Sequence, residues 1–207
     1  FLNDLHYPLY FLDFETFMQA IPQWDGLRPY QNVPFQYSIH CIELEGKDPF
    51  HSEFLAEEDS DPRISLADRL IGDIPKGVCV LAYNCSFEKG VIRYLAEQFP
   101  DYSKHLMDIH DNLLDLMVPF QKKYYYKKEM KGRYSIKTVL PALFSDSPYS
   151  KMEINEGMKA SNNYKNLASI QDSKKKEKIK RDLKIYCKQD TQSMIDILGR
   201  LMAVVAK

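Results

Sequence analysis

Apolar and polar positions from Tyr7 to Glu15, YPLYFLDFE, predict a buried strand. Tyr10, Leu12 and Phe14 face one side of a sheet in this reading, and Phe11, Asp13 and Glu15 face the other. Residues 35–44, FQYSIHCIEL, and 50–55, FHSEFL, carry the same signal. The turn from Glu45 to Pro49 joins them as a hairpin, so three consecutive strands form a meander. Between the first two strands, residues 17–34 contain Pro22, Gly26, Pro29, Pro34 and the only Trp, and read as a loop. Asp61-Pro62 opens a helix with Ile64, Leu66, Leu70 and Ile71 at helical spacing, ending near Ile74-Pro75. VCVLAYN, after Gly77, is short and apolar enough to be a buried strand. Phe87 to Phe99 is helical through Val91, Ile92 and Leu95, and Pro100 stops it.

Residues 101–120 read as mainly helical, with a short strand around Leu113 to Leu116. QKKYYYKKEMKGRY, residues 121–134, breaks the pattern. Ser135 caps a helix to about Phe144, a polar stretch covers Ser145 to Asn155, and a further helix lies between Glu156 and Ile170. The longest predicted helix runs from Ser173, its N-cap, to about Val205. Its apolar stripe is Ile179, Leu183, Tyr186, Cys187, Met194, Ile197, Leu198 and Leu201. This order of elements predicts an α/β fold with a mixed central sheet of about five strands flanked by helices. With no internal repeat and no linker, residues 1–207 read as one domain. Its start at Phe1 rather than Met suggests a piece cut from a longer protein.

Composition removes several classes. The 44% hydrophobic and 28% charged fractions suit an ordinary soluble chain, and the formal net charge of -1 shows no global basicity, so any nucleic-acid signal must be local. Cys41, Cys79, Cys85 and Cys187 show no C-x-x-C spacing, which argues against a zinc site or a disulfide framework and for a reducing cytoplasm. No apolar run approaches the roughly 20 residues that span a bilayer, and no membrane association is expected.

The candidate chemistry is acidic. Asp13 and Glu15 share a face of the first strand, where two carboxylates beside Leu and Phe raise each other's pKa unless they meet water or a cation. Both readings stand at this point. Glu88 falls in the first turn of a helix, where the helix dipole alone favours an acid, and Asn84 precedes it as a possible cap. Asp190 lies four residues beyond Tyr186, on the stripe that should be buried. Asp13, Glu15, Glu88 and Asp190 together form a set suited to two magnesium or manganese ions.

The order D-x-E on a first strand, N-x-x-F-acid at a strand-to-helix turn and Y-x-x-x-D on a late helix resembles the three motifs of the DEDD (DnaQ-like) 3′-to-5′ exonucleases, tyrosine subtype. YFLDFET, PFQYSIH, YNCSFEKG, YSIKTVLPAL and YCKQDT further resemble a bacterial domain-of-unknown-function family within that ribonuclease-H-like superfamily. The resemblance covers nearly the whole chain and implies a ribonuclease-H-like fold and two-ion hydrolysis of phosphodiester bonds. It implies that Asp13 bridges both ions, that Glu15 and Asp190 complete the first ion's site, and that Tyr186 orients the attacking water. Glu88 stands where most of the superfamily has Asp, which alters how the second ion is held.

Candidate substrate contacts are Asn84 and Phe87 at the turn, and Lys122, Lys123, Tyr125, Lys127 and Lys128 in a stretch whose interleaved cations and rings suit single-stranded nucleic acid. A solvated loop explains that stretch equally well. The basic run Lys174 to Arg181 opposes the dipole of the helix it begins, and reads either as a substrate contact or as a solvated face. The five histidines and Asp115, read as a structural acid, are placed outside the site; Trp24, in the loop that follows the first strand, either borders the cleft or packs against the fold. The expected function is a metal-dependent 3′-to-5′ exonuclease on single-stranded DNA or RNA. Its rivals are a catalytically weak module that binds nucleic acid or a partner, and a purely structural domain.

Overall fold

The computed structural model describes residues 1–144 and 148–205; residues 145–147, part of the predicted polar stretch, lie outside the described residues. Five strands form one mixed sheet: β1 (Leu9–Phe17), β2 (Val33–Ile42), β3 (Phe50–Leu55), β4 (Cys79–Ala82) and β5 (Leu113–Asp115), in the order β3-β2-β1-β4-β5. The meander β1-β2-β3 is antiparallel, and β1-β4 and β4-β5 are parallel. The helices are α1 (Pro62–Asp73), α2 (Ser86–Gln98), α3 (Pro100–Asp111), α4 (Val118–Gln121), α5 (Ile136–Phe144), α6 (Gly157–Asn166) and α7 (Ser173–Val205). This α/β arrangement is consistent with a ribonuclease-H-like fold. Among the described residues no helix is long and apolar enough to cross a membrane.

Strand alternation divides the core. Tyr10, Leu12 and Phe14 enter an apolar cluster with Leu66, Leu70, Ile92, Leu95 and Leu106 from α1, α2 and α3. Leu9, Phe11 and Phe17 enter a second cluster with Val139, Tyr164, Leu183 and Met194 from α5, α6 and α7. The predicted faces of the first strand are therefore the observed ones. Its limits shift by two residues, because Pro8 has no N–H for the ladder and pairing starts at Leu9. Parallel pairing with β4 covers only Leu9 to Phe11. Asp13 and Glu15 thus lie where the parallel strands part, at their carboxyl ends, and a bulge after Glu15 turns the strand away.

Two capping assignments change. Asp172, not Ser173, caps α7, its carboxylate accepting from the N–H groups of Lys174 and Lys175. Asn84 does not cap α2; it sits at φ 68°, a left-handed conformation that Asn tolerates, and its carboxamide oxygen accepts from Ser86 Oγ instead. The basic run at the start of α7 finds acids to offset the unfavourable dipole: Lys176 and Lys180 pair with Glu58 at 2.8 Å, and Lys178 with Glu153 and Asp182.

Candidate metal centre

Polar contacts lock α7 against the sheet beside Asp13 and Glu15. The buried Gln36 side chain, opposite Glu15 in the ladder, donates to the carbonyl of Leu183 at 3.0 Å. Farther along the helix, Thr191 Oγ1 lies 2.9 Å from Ser38 Oγ and 2.7 Å from His40 Nδ1. These anchors fix the rotation of α7, so the residue before Thr191, Asp190, is held buried over the end of β1. One carboxylate oxygen each from Asp13, Glu15 and Asp190 lies within 4.8 Å of the others. The predicted convergence of β1 and α7 is observed.

Glu88 reaches the same cleft from the first turn of α2, on the opposite face of the sheet. It is 3% exposed, and its Oε2 has no hydrogen-bond partner among the described residues. A buried oxygen without a donor carries a penalty of about 1–3 kcal/mol, more if charged, unless a cation meets it. A donor set made only of carboxylate oxygens suits a hard divalent ion. Both observations fit a metal site, and Asp13, Glu15 and Asp190 can hold an ion.

The electrostatics express the same crowding. Burial, then Asp190, Glu15 and Glu88, raise the Asp13 carboxyl well above its ordinary range. Burial and then Asp190 raise Glu15, with Lys137 opposing. Asp190 is pushed up to about 6 by burial, against the pull of hydrogen bonds from Tyr149 and Tyr186 and the charge of Lys137. Glu88 is pushed up to about 8, again chiefly by burial, with its own helix-terminal N–H opposing and Asp115 and Asp190 adding. Each carboxyl is thus held in a state that protons or metal ions would relieve.

Three side chains to which the sequence reading gave no role in the site support the acids. Tyr149 Oη donates to Asp190 Oδ1 at 2.6 Å and lies 3.2 Å from Ser193 Oγ. Cys187 Sγ, fully buried, donates to Asp13 Oδ2 at 3.6 Å. Lys137 Nζ donates to Tyr186 Oη at 3.0 Å and to the carbonyl of Asn155 at 2.7 Å, and lies 5.0 and 5.2 Å from the ring centres of Tyr186 and Tyr149. It is the ammonium on the cleft wall, near enough for its charge to act on Glu15 and Asp190. Tyr186 is buried, and burial followed by Asp190, Glu15 and Asp13 drives its phenol further up, so it stays protonated.

The remaining sequence candidates separate. Phe87 lines the cleft, half-buried, whereas Asn84 is exposed and does not line it. Lys122, Lys123, Tyr125, Lys127 and Lys128 are not among the cleft-lining residues. Lys127 Nζ is bonded to the carbonyl of Ala142 at 2.9 Å, and Tyr125 packs edge-on against Phe120. Asp115 is structural, as expected: its carboxylate accepts from the backbone N–H groups of Asn84, Cys85 and Met117 and so shapes the turn into α2. Trp24 packs against Phe17.

The family described as "Domain of unknown function (DUF2779)" matches residues 10–135, more than half of the chain. The chain belongs to this family. The DUF2779 match contains Asp13, Glu15 and Glu88 and ends before Lys137, Tyr149, Tyr186 and Asp190. Over 209 aligned residues the chain is 26% identical to "Uncharacterized protein UU173" of Ureaplasma parvum serovar 3, an alignment that covers 90% of this chain and 30% of the relative. The chain therefore spans under a third of that relative's length. No solved structure matches.

Proposed function

We propose that the protein hydrolyses phosphodiester bonds of single-stranded DNA or RNA from the 3′ end, using two divalent ions, magnesium or manganese. The observation that supports this most is the meeting of Asp13, Glu15 and Asp190, drawn from a strand and a helix near opposite ends of the chain, with oxygens within 4.8 Å. Direction of attack and substrate class follow from the resemblance to DEDD exonucleases. Asp13, Glu15 and Asp190 would hold one ion, and Asp13 with Glu88 the other. When bound, the ions supply the charge that makes water nucleophilic near neutral pH and offsets the charge growing on the leaving oxygen.

The protein's own groups divide the remaining work. Tyr186 keeps its proton, accepts from Lys137 and hydrogen-bonds Asp190, so it would hold that carboxylate, and a water molecule beside it, in orientation rather than remove a proton. Lys137 brings a fixed positive charge to the cleft wall, where an approaching phosphate needs one. Tyr149 and Cys187 hold Asp190 and Asp13 in place by hydrogen bonds.

The assay is stepwise shortening of a 5′-labelled oligonucleotide in Mg²⁺ or Mn²⁺. Activity is expected in the wild type and its loss in Asp13→Ala and Asp190→Ala, with the fold kept. Wild-type protein that takes up metal and oligonucleotide but releases no product would instead support the rival binding module. One observation favours that rival: Glu88, a residue longer than the usual Asp, lies outside the set of three acids whose oxygens approach one another within 4.8 Å.

A further inference from the structure

A second concavity, of about 380 Å³, adjoins the carboxylate cleft, and its chemistry has the opposite sign. It lies between the loop that follows β1 and the outer face of α2, and its walls include Arg28, Asn32, Phe87, Arg93, Tyr94 and Glu97. Phe87 lines both depressions, so one aromatic side chain forms the sill between them. Among the described residues neither Arg28 nor Arg93 joins an ion pair; the Arg93 guanidinium contacts the ring of His110 at 3.1 Å. Both arginines are exposed, and among the described residues Glu97 is the only acid on these walls.

The groove is built in advance. Arg63, 5% exposed and held by the Asp61 carboxylate, donates both to the carbonyl of Asp25 in the loop and to Tyr94 Oη on α2. At the far end of the loop, Asn32 accepts from Thr16, the residue after Glu15, at 3.3 Å. A backbone bond from Tyr30 to Gln19 closes the loop between these two anchors. The arginine-bearing loop is therefore tied to the carboxylate strand on one side and to α2 on the other. A loop ordered in this way can present charge without a large entropic cost on binding.

We infer that this groove seats the nucleotide next to the scissile phosphate, with Arg28 and Arg93 on the phosphates and Phe87 and Tyr94 against the base. The site rests on the nuclease reading and extends it. A polyanion has to be drawn to a cleft whose own walls are four carboxylates, and a positively charged groove sharing a wall with that cleft does this. Guanidinium groups beside aromatic faces bind single strands with little sequence preference. The inference also moves the substrate path away from residues 121–134, where Lys127 and Tyr125 are engaged in packing the fold.

The test measures anisotropy of labelled oligo-dT and oligo-U in Ca²⁺, which is expected to allow binding without turnover, across a series of salt concentrations. Arg28→Ala/Arg93→Ala is expected to weaken binding about tenfold and to lower the salt slope by about 1.4, roughly 0.7 for each single-strand phosphate that is no longer neutralised. Lys104→Ala/Arg200→Ala removes the same charge from exposed helix positions elsewhere and is expected to bind as wild type. Arg28→Lys/Arg93→Lys, which keeps the charge, is expected to recover most of the slope. Unchanged binding in the arginine double variant overturns the inference, as does a loss confined to Lys122→Ala/Lys123→Ala/Lys128→Ala. Wild-type binding that depends on the arginines, without turnover in Mn²⁺, sinks the nuclease reading and keeps the groove. Turnover with unchanged affinity in the arginine variant does the reverse, and a wild type that neither binds nor cleaves overturns both.

Discussion

Replacing Glu88 with Gln should change how stability depends on pH, because this carboxyl destabilises the fold when it ionises in place. Its pKa stands at about 8 against an ordinary 4.5, and at about 1.4 kcal/mol per pH unit the whole displacement is worth about 5 kcal/mol. The folded state holds the proton more tightly than the unfolded chain does, so this contribution is complete below pH 4.5 and is lost as pH rises towards 8. Between pH 5 and 8 the loss amounts to about 3 kcal/mol. Asp13 and Glu15 are raised too and act in the same direction, so the wild-type slope is steeper than this single group gives. Urea unfolding in EDTA at pH 5, 6, 7 and 8 measures it. The variant should lose stability less steeply than wild type, by about 3 kcal/mol over the range, and saturating Mn²⁺ should flatten the wild-type curve because the ion does what the proton did. Parallel curves for wild type and variant in EDTA would show that water already solvates the Glu88 carboxylate, and the reasoning from its unpartnered oxygen would be wrong.

Two further outcomes follow from the surroundings of the site. Tyr149→Phe removes the hydroxyl that donates to Asp190 and should weaken Mn²⁺ binding by about tenfold, read by calorimetric titration, with a melting temperature close to wild type. His40 is buried against Thr191, with His51 and Lys188 nearby, and its pKa is lowered from 6.5 to about 4. The unfolded chain takes up this proton first, so the His40 contribution is complete above pH 6.5 and is lost as pH falls towards 4. Compared with His40→Gln, the wild type should lose about 3 kcal/mol more across that window in unfolding measurements.

What the sequence made legible was what strand and helix periodicity encode. Asp13 and Glu15 share a face because alternation requires it, and Asp190 stood out because it falls on an apolar helical stripe. Lys137 and Tyr149 carried no such signal: they reach the cleft from segments whose place depends on how α5 and the turn after it pack against α7, which is tertiary information. The 121–134 stretch illustrates the opposite limit. Its cations and rings look like a nucleic-acid surface by composition, yet composition does not record that one lysine terminates on a helix carbonyl and one tyrosine edges against a phenylalanine. The basic start of α7 could be explained only once Glu57, Glu58 and Glu153 were seen across from it. Arg28 and Arg93 are ordinary surface arginines in sequence and become neighbours of one groove only through the loop's anchoring by Arg63.

Because the first strand and the last helix each hold part of the acidic set, a chain still emerging from the ribosome has no assembled cleft. Asp190 is made 177 residues after Asp13, and until then the site lacks it. On the proposed activity, the growing chain cannot cut the messenger it is being read from until the segment that bears Asp190 has docked.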